Sequence, residues 1–327
     1  MLDSFGRKID YVRISVTDRC DLRCKYCMPQ ANPYFYDKKE ILSLNNLQRI
    51  SESLIKLGIR KIRITGGEPL IRKDIIEYIK FLGVKKSNNE IDELLLTTNG
   101  TQLKKYSGEL KKFGVKRINI SLDSLISEKF NFITNGGNLE KVLEGIFAVK
   151  ENNIEVKINT VLLKNFNDDE VIDIIKWCGR NKFKLSFIEV MPVGDMPTSR
   201  NKQYLSVSDA KSIIDKEIKL EASSLKSPGP SNYYYCKSLN SHIGFISPIS
   251  DHFCLTCNRI RVTSNGIIYP CLGDNNSVNL NPFLNEQDDS ELMRVLKNLI
   301  YKKPERHFFD INEKSYIKKR FMNTTGG

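Results

Sequence analysis

Residues 12–29 read VRISVTDRCDLRCKYCMP, an apolar, β-branched run followed at once by three closely spaced cysteines. The run predicts a buried strand over residues 11–17. A loop at the carboxyl end of that strand can turn three thiols towards one point. Reactive groups at strand ends are typical of α/β folds built on a parallel sheet.

Further apolar runs follow along the chain, separated by stretches with helical periodicity. The predicted strands are 61–65, 93–97, 117–122, 156–163 and 184–190.

Amphipathic stretches predict the intervening helices, several of which end near a glycine, as at Gly58, Gly83 and Gly114. The predicted helices lie near 44–57, 72–82, 101–113, 138–152 and 168–181. Six strand–helix repeats predict an α/β fold, an open, partial six-stranded (βα)6 barrel of the TIM type. Its active residues should lie at the carboxyl ends of the strands.

The pattern changes after about residue 220, so we predict a barrel over 1–220 and a smaller, irregular C-terminal region over 221–327. A turn-rich loop at 223–232 separates the two. Beyond it we expect short strands around 242–247 and 259–269, a helix over 288–301 and a flexible tail from 322 to 327.

Composition narrows the class of protein. Hydrophobic residues make up 40% of the 327 residues and charged residues 28%, a balance typical of a folded soluble protein. The sequence contains neither a membrane-spanning apolar run nor a secretory signal, so a cytoplasmic location is expected. The net charge of +12 suits a polyanionic partner or a phosphorylated small molecule, although a solvated lysine-rich surface would also explain it.

The first cysteine group, Cys20, Cys24 and Cys27, has the spacing C-x3-C-x2-C. Thiolates at such spacing favour iron–sulfur clusters or zinc. A structural zinc site normally has four protein ligands. Three ligands therefore indicate a cluster with one open iron, and a zinc loop completed from elsewhere in the chain is the alternative.

The second group, Cys254, Cys257 and Cys271, has the spacing C-x2-C-x13-C. Zinc is a stronger alternative here, because His252 and Cys236 could complete the site. The sequence NRIR follows the second cysteine within a predicted strand, where alternation places two arginines on one face. Two guanidinium groups beside a metal centre can clamp an anion.

The first group resembles the motif of the radical S-adenosylmethionine (SAM) enzymes. The resemblance rests on the cysteine spacing, the aromatic residue before the last cysteine, and GGEP at 66–69 after the second predicted strand. It implies a [4Fe–4S] cluster whose open iron binds SAM. One-electron cleavage of SAM would then give a 5′-deoxyadenosyl radical that abstracts hydrogen from a substrate.

With both groups in view, the chain is similar to the molybdenum cofactor biosynthesis protein A family of GTP 3′,8-cyclases. Further landmarks are TTNG, INISLDSL, VKINTVLLK, FIEVMPVG, DHFCLTCNRIRVTSNGIIYPCL and the terminal GlyGly. The resemblance implies two [4Fe–4S] clusters, one on each cysteine group, with GTP bound at the second. The radical would take hydrogen from C3′ of GTP, and C3′ would close on C8 to give 3′,8-cyclo-7,8-dihydro-GTP, the first step of molybdopterin synthesis.

The resemblance also implies roles for individual residues. The implied SAM contacts are Tyr26, Gly67, Ser121 and Met191. The implied GTP contacts are Arg13, Arg63, Thr97, Lys157, Arg259, Ile260 and Arg261. Gly326 and Gly327 would reach into the active site, and they would act there as catalytic residues together with Arg259 and Arg261. The residue before this pair is Thr325, where the family usually has a hydrophobic residue. Any single buried cation could instead belong to a structural ion pair.

The implied partners are GTP, SAM, a reductant such as flavodoxin or ferredoxin, and a cyclic pyranopterin monophosphate synthase that receives the product. Neither membrane nor nucleic acid is expected, and a homodimer is compatible with the family. Two other functions stay open at this point. One is a peptide-modifying radical SAM maturase with an auxiliary cluster. The other is a zinc-stabilised nucleic-acid-binding module, which would need interleaved aromatic and basic residues.

Overall fold

The computed structural model describes residues 1–28, 33–193, 202–225, 229–284, 288–307, 309 and 320–326. All six strands predicted for the barrel are present, and each pairs in parallel with the next. They are β1 (Tyr11–Ser15), β2 (Lys61–Thr65), β3 (Glu93–Thr98), β4 (Arg117–Ser121), β5 (Glu155–Leu162) and β6 (Lys184–Glu189).

Helices connect these strands, and their apolar faces cover the outside of the sheet. One more helix is present than the periodicity predicts, because an eight-residue helix precedes the predicted one between β4 and β5. The helices are α1 (Leu44–Lys56), α2 (Ile75–Ser87), α3 (Leu103–Lys112), α4 (Ser127–Thr134), α5 (Leu139–Glu151) and α6 (Val171–Asn181).

The prediction that α2 ends at Gly83 is wrong, since the helix continues to Ser87. Gly83 is buried, and a Cβ atom there would lie 2.6 Å from the carbonyl oxygen of Phe113. Close packing explains this glycine. The other two predictions are confirmed: Gly58 and Gly114 follow the ends of α1 and α3 with positive φ angles of 94° and 76°.

Two strands from late in the chain extend the parallel sheet at both edges. Strand β9 (Ser241–Ile246) pairs with β6, and β10 (Arg259–Val262) pairs with β1. Within the described residues the sheet has twelve strands and does not close on itself. Their order is β12 (Val278–Asn279), β11 (Ile267–Tyr269), β10, β1, β2, β3, β4, β5, β6, β9, β8 (Asn232–Cys236) and β7 (Leu220–Ala222). The open, partial barrel is thus confirmed, with six consecutive strands flanked by two later parallel ones.

The remaining elements lie in the second half of the chain and include the predicted helix over 288–301. The boundary near residue 220 stays a prediction, because β9 and β10 belong to the same sheet as the barrel strands. Within the described residues, each helix is too short or too polar to span a membrane. These elements are α7 (Val207–Ile214), β7 (Leu220–Ala222), β8 (Asn232–Cys236), β11 (Ile267–Tyr269), β12 (Val278–Asn279), α8 (Ser290–Tyr301) and α9 (Met322–Thr325).

Alternation along the strands separates an apolar outer face from a polar interior. On β1, Val12 and Ile14 are fully buried against the helices, whereas Arg13 between them lines an interior cavity. Most parallel strands are apolar on both faces. Polar side chains inside this barrel therefore mark a place built for a ligand rather than for packing.

Candidate active site

The interior cavity brings together the second cysteine group and most of the predicted GTP contacts. Cys254, Cys257 and Cys271 all line it. Among the described residues that line the cavity, eight side chains are cationic and one, Glu93, is a carboxylate. The cationic residues are Arg13, Lys61, Arg63, Arg117, Lys157, Arg259, Arg261 and Lys303.

Three of these arginines form a row across adjacent strands. Strand register places Arg13 opposite Arg261 on one side and opposite Arg63 on the other. Neighbouring parallel strands lie about 4.8 Å apart, so the three guanidinium groups share one small volume. Burial and the charge of Arg261 lower the pKa of Arg13 well below its usual value, and its Nε atom is buried without a hydrogen-bond partner. An anion placed here would relieve both penalties.

The other predicted cations are held in place by neutral groups. Arg63 Nε donates to the Tyr11 hydroxyl at 2.5 Å, and its Nη1 donates to the Leu96 carbonyl at 2.9 Å. Lys157 Nζ donates to the Tyr233 hydroxyl at 2.9 Å. These partners orient the cations without neutralising them, and burial lowers the pKa of both. The structural ion-pair alternative thus finds no support at Arg63 or Lys157 in the described part of the chain.

Two predicted GTP contacts are placed differently. Thr97 lies beside the cavity, where its hydroxyl accepts a hydrogen bond from Arg63 Nη1 at 3.3 Å. The Ile260 side chain is fully buried in the hydrophobic core, opposite the face that carries Arg259 and Arg261. Only the main chain of Ile260 can therefore face a ligand in the cavity.

Positive charge also surrounds the second cysteine group. Burial raises the pKa of the Cys257 thiol, but the charges of Arg259 and Lys303 outweigh it and lower that pKa to about 6. Arg259 Nη2 lies 3.9 Å from the Cys257 sulfur. A thiol that ionises below neutral pH is already in the form that binds metal. These residues therefore fit a thiolate-bound cluster.

Cys236, one ligand of the zinc alternative, is fully buried on β8, and its sulfur lies 3.3 Å from the Ser238 hydroxyl. It does not line the cavity. His252 does lie close: its ligand atom, that of His307 and the Cys254 sulfur are all within 4.8 Å of one another. The second cysteine group thus has two histidine neighbours, of which the sequence suggested one.

The first cysteine group lies on the loop after β1, as predicted. The Cys24 carbonyl accepts hydrogen bonds from the main-chain N–H groups of Cys27 and Met28, both at 2.9 Å, which curls the loop. The Cys20 sulfur accepts from Leu22 N at 3.4 Å and from Asn99 Nδ2 at 3.6 Å. Donors directed at a sulfur suit a bound thiolate. These residues fit the cluster that the motif implies.

The GGEP segment packs directly against this loop. Gly67 N donates to the Thr17 carbonyl at 2.7 Å, and a side chain at Gly67 would collide with the carbonyl of Arg19. The buried Glu68 carboxylate accepts from Thr98 Oγ1 at 2.8 Å and from Asn99 N at 2.7 Å. The Glu68 side chain thereby links the GGEP segment to the end of β3. Burial raises the pKa of Glu68 to about 7.

The other residues predicted to contact SAM lie at strand ends. Ser121 ends β4, and Met191 follows β6 and lines the cavity. The Tyr26 hydroxyl donates to Asp123 Oδ2 at 2.7 Å, where burial raises the pKa of Asp123 to about 6. Asp123 is not among the predicted site residues, although it lies within the INISLDSL landmark.

The C-terminal tail joins the two cysteine sites, and the prediction that it is flexible is wrong for residues 322–326. Arg261 Nη1 donates to the Gly326 carbonyl at 2.5 Å, and Asn323 Nδ2 donates to the Asp18 carbonyl at 3.0 Å. Gly326 has a φ of 74° and packs against Thr65. Thr325 is fully buried, so the departure from a hydrophobic residue does not prevent docking. Gly327 lies outside the described residues.

Several cavity residues were missed by the sequence analysis. Lys61 and Arg117 could have been found, because strand alternation places them on the same faces as Arg63 and Ser121. Lys303 and His307 follow α8 in irregular backbone, where no periodic signal exists. Lys303 is buried and donates to the carbonyl oxygens of Arg259 and Pro270 at 3.0 and 2.6 Å.

Two groups of known proteins resemble this chain. A GTP 3′,8-cyclase from Brucella ovis is 42% identical over the whole chain and 96% of the relative's length. One from Rhizobium etli is 42% identical over the whole chain and 94% of its length.

Among solved structures, Streptococcus suis SuiB bound to S-adenosylmethionine matches with a TM-score of 0.61. The match has 17% identity and covers 90% of this chain and 67% of SuiB. SuiB bound to its precursor peptide SuiA gives a TM-score of 0.63 with 18% identity, over 92% and 66% of the two chains. At this identity the likeness concerns the fold alone.

Two family models match successive parts of the chain. The radical SAM superfamily matches residues 14–178, and Molybdenum Cofactor Synthesis C matches residues 183–309. The first match covers half of the chain and carries with it the use of SAM and an iron–sulfur cluster. Together with the full-length relatives, these matches show that the chain belongs to the GTP 3′,8-cyclase family of the radical SAM superfamily.

Proposed function

We propose that the protein converts GTP to 3′,8-cyclo-7,8-dihydro-GTP, the first step of molybdenum cofactor biosynthesis. The observation that carries the proposal is the row of Arg261, Arg13 and Arg63 inside a cavity that the second cysteine group also lines. A triphosphate is a ligand of suitable charge for this cavity, whose described lining carries eight cations and one carboxylate.

The two cysteine groups would hold two [4Fe–4S] clusters. Cys20, Cys24 and Cys27 would hold the first with SAM, whose one-electron cleavage supplies the 5′-deoxyadenosyl radical. Tyr26, Gly67, Ser121 and Met191 would contact SAM. Cys254, Cys257 and Cys271 would hold the second, with guanine at its open iron. The low pKa of Cys257 supports this assignment.

The protein's own contribution is to hold GTP in a reactive conformation. The cations would fix the triphosphate at one end of the cavity and the second cysteine group would fix guanine at the other. Positioning of this kind brings C3′ and C8 of GTP together and excludes water from the ribose. Arg259 and Arg261 line the same cavity, and Arg261 also holds the tail carbonyl of Gly326.

Isotopic labelling tests the proposal directly. Anaerobically purified protein, with about eight irons if both clusters are present, would be incubated with SAM, a reductant and GTP deuterated at C3′. We expect deuterium in 5′-deoxyadenosine, and none when GTP is deuterated at C2′. Release of 5′-deoxyadenosine that does not depend on GTP would favour the peptide-modifying alternative. A colourless, zinc-containing protein would exclude both.

Other features of the proposal follow from the family. The electron would come from a reductant such as flavodoxin or ferredoxin, and the product would pass to a cyclic pyranopterin monophosphate synthase. The proposed division into a barrel over 1–220 and a C-terminal region over 221–327 assigns one cysteine group to each. The GlyGly tail would then connect the two regions at the active site.

A further inference from the structure

His307 lies on the side of the cavity that carries the second cysteine group. Its side chain lines the cavity and its residue is only 5% exposed. The Phe309 main-chain N–H donates to Nδ1 at 3.3 Å, and Nε2 is buried without a hydrogen-bond partner. Because Nδ1 accepts a hydrogen bond, the neutral ring carries its hydrogen on Nε2. The structure therefore contains a buried N–H donor that faces no acceptor of the described protein.

The Cys254 sulfur lies close to the His307 ring. The His307 ring, the His252 ring and this sulfur present ligand atoms within 4.8 Å of one another. The main-chain N–H of His307 also hydrogen-bonds to the Cys254 sulfur. The two rings meet edge to face with centroids 4.6 Å apart, and Phe309 packs against His307 at 4.5 Å. These contacts fix the imidazole beside the sulfur.

Direct metal binding by the His307 ring fits this geometry less well. A neutral imidazole has one lone pair for a metal, at the nitrogen that lacks hydrogen. In His307 that nitrogen is Nδ1, which accepts the Phe309 N–H. The free position is the N–H at Nε2, which suits an acceptor such as a thiolate or sulfide.

We infer that His307 donates its Nε2–H group to a sulfur of the second cluster at Cys254 and thereby raises the reduction potential of that cluster. The inference rests on the proposed function, because it needs a second cluster. Hydrogen bonds to cluster sulfurs stabilise the reduced, more negative state. His307 is thus a positioning residue that acts through the cluster, and the substrate at the open iron would sit beside a cluster that accepts an electron more readily.

The test measures the potential of the second cluster alone. The background is the full chain with Cys20→Ala, Cys24→Ala and Cys27→Ala, in which any remaining cluster is the second. In this background His307→Leu removes the donor, and His307→Gln retains an N–H. We expect an EPR-monitored redox titration to show a negative shift for His307→Leu and a smaller shift for His307→Gln.

The matched control is His242→Leu, which changes a histidine on β9 that packs against Tyr235. Its midpoint should equal that of the background protein. Equal midpoints for His307→Leu and the background, at equal iron content, would overturn the inference. A background protein without any cluster would instead refute the proposed second cluster itself.

A spectroscopic measurement that does not use the leucine variant covers the case in which that variant fails to hold its cluster. The background protein is labelled with ¹⁵N-histidine, and the reduced cluster is examined by pulsed EPR. A weak ¹⁵N coupling is expected for an N–H···S contact. This coupling should be lost in His307→Gln and retained in His242→Leu. Absence of any coupling, or the strong coupling of a nitrogen bound to iron, would contradict the inference.

Discussion

The two cysteine groups each supply three thiols, but Cys20 of the first and Cys257 of the second have opposite electrostatic surroundings. Burial and the carboxylate of Glu68 raise the pKa of Cys20 to about 12, and burial also raises that of Cys24. At the second group, Arg259 and Lys303 lower the pKa of Cys257 to about 6. The first site therefore disfavours thiolates at Cys20 and Cys24 until a metal binds. The second site stabilises a thiolate at Cys257 in advance, although burial raises the pKa of its neighbour Cys254.

This difference matches the two tasks proposed for the sites. A cluster in neutral or negative surroundings has a low reduction potential, as a donor of electrons to SAM requires. A cluster among arginines suits the binding of an anionic substrate and a higher potential. Spacing alone thus identifies a ligand group, while the charges around it indicate its role.

Removal of one cysteine group at a time should have the largest effect. Replacement of Cys20, Cys24 and Cys27 by Ala should abolish SAM cleavage and leave the second cluster and GTP binding. Replacement of Cys254, Cys257 and Cys271 should leave the first cluster. Iron content, 5′-deoxyadenosine release and calorimetric titration with GTP measure these outcomes. Loss of both clusters from either variant would show that the sites are not independent.

The second-largest effect should be a difference in thiol reactivity between Cys257 and Cys20 in the cluster-free protein. At pH 7 Cys257 is mostly thiolate and Cys20 almost wholly thiol, so iodoacetamide should modify Cys257 at least ~100-fold faster. Because its pKa is about 6, the rate at Cys257 should change little above pH 7 and fall as pH drops below 6. The rate at Cys20, whose pKa is about 12, should rise about tenfold per pH unit from 7 to 9.

Peptide mass spectrometry after timed labelling measures both rates. Arg259→Gln serves as the matched change, because it removes a cation near Cys257 and leaves the first site untouched. It should slow labelling at Cys257 only. Equal rates at the two cysteines in the parent protein would contradict the electrostatic comparison.

Strand patterns predict local structure well here, and they fail where distant segments meet. Alternation correctly placed Arg259 and Arg261 on one face, because both lie on the same strand. It could not show that β10 would pair with β1 and bring Arg261 beside Arg13, because 247 residues lie between these two arginines in the chain. Pairing over that distance depends on the whole fold rather than on local pattern.

The tail shows the same limit. MNTTGG has the composition of a mobile end, and nothing in its local sequence indicates docking. Its order depends on acceptors and donors supplied elsewhere, namely the Asp18 carbonyl and the Arg261 guanidinium. Gly83 is the complementary case, a residue with a local signal for helix termination that packing against Phe113 overrides. In both cases the decisive contact is non-local.

Arg261→Ala should weaken GTP binding by roughly 10–100-fold, the effect of losing a charge-assisted hydrogen bond. Both clusters should remain, because the hydrogen bonds of Arg261 go to the tail and not to a cysteine. Arg261→Lys keeps the charge and should recover part of the affinity, but not the bidentate geometry. Calorimetric titration with GTP and an iron assay check these results. Unchanged affinity in Arg261→Ala would assign this residue to the tail alone.

The smallest effect should come from the tail. Asn323→Ala removes the hydrogen bond to the Asp18 carbonyl, next to the first cysteine group, without altering a cavity cation. One such bond contributes about 1 kcal/mol, or about fivefold. We expect turnover with GTP to fall by about that factor while GTP affinity stays constant.

The comparison with Arg261→Ala then separates an effect on GTP binding from an effect on tail docking. Arg261 lines the cavity and holds the tail, whereas Asn323 holds only the tail on the side of the first site. If Asn323→Ala lowers GTP affinity as much as Arg261→Ala does, the tail itself forms part of the GTP site. If it lowers turnover alone, the tail acts on the first site, and Arg261 is the residue through which bound substrate and the SAM-cleaving centre communicate.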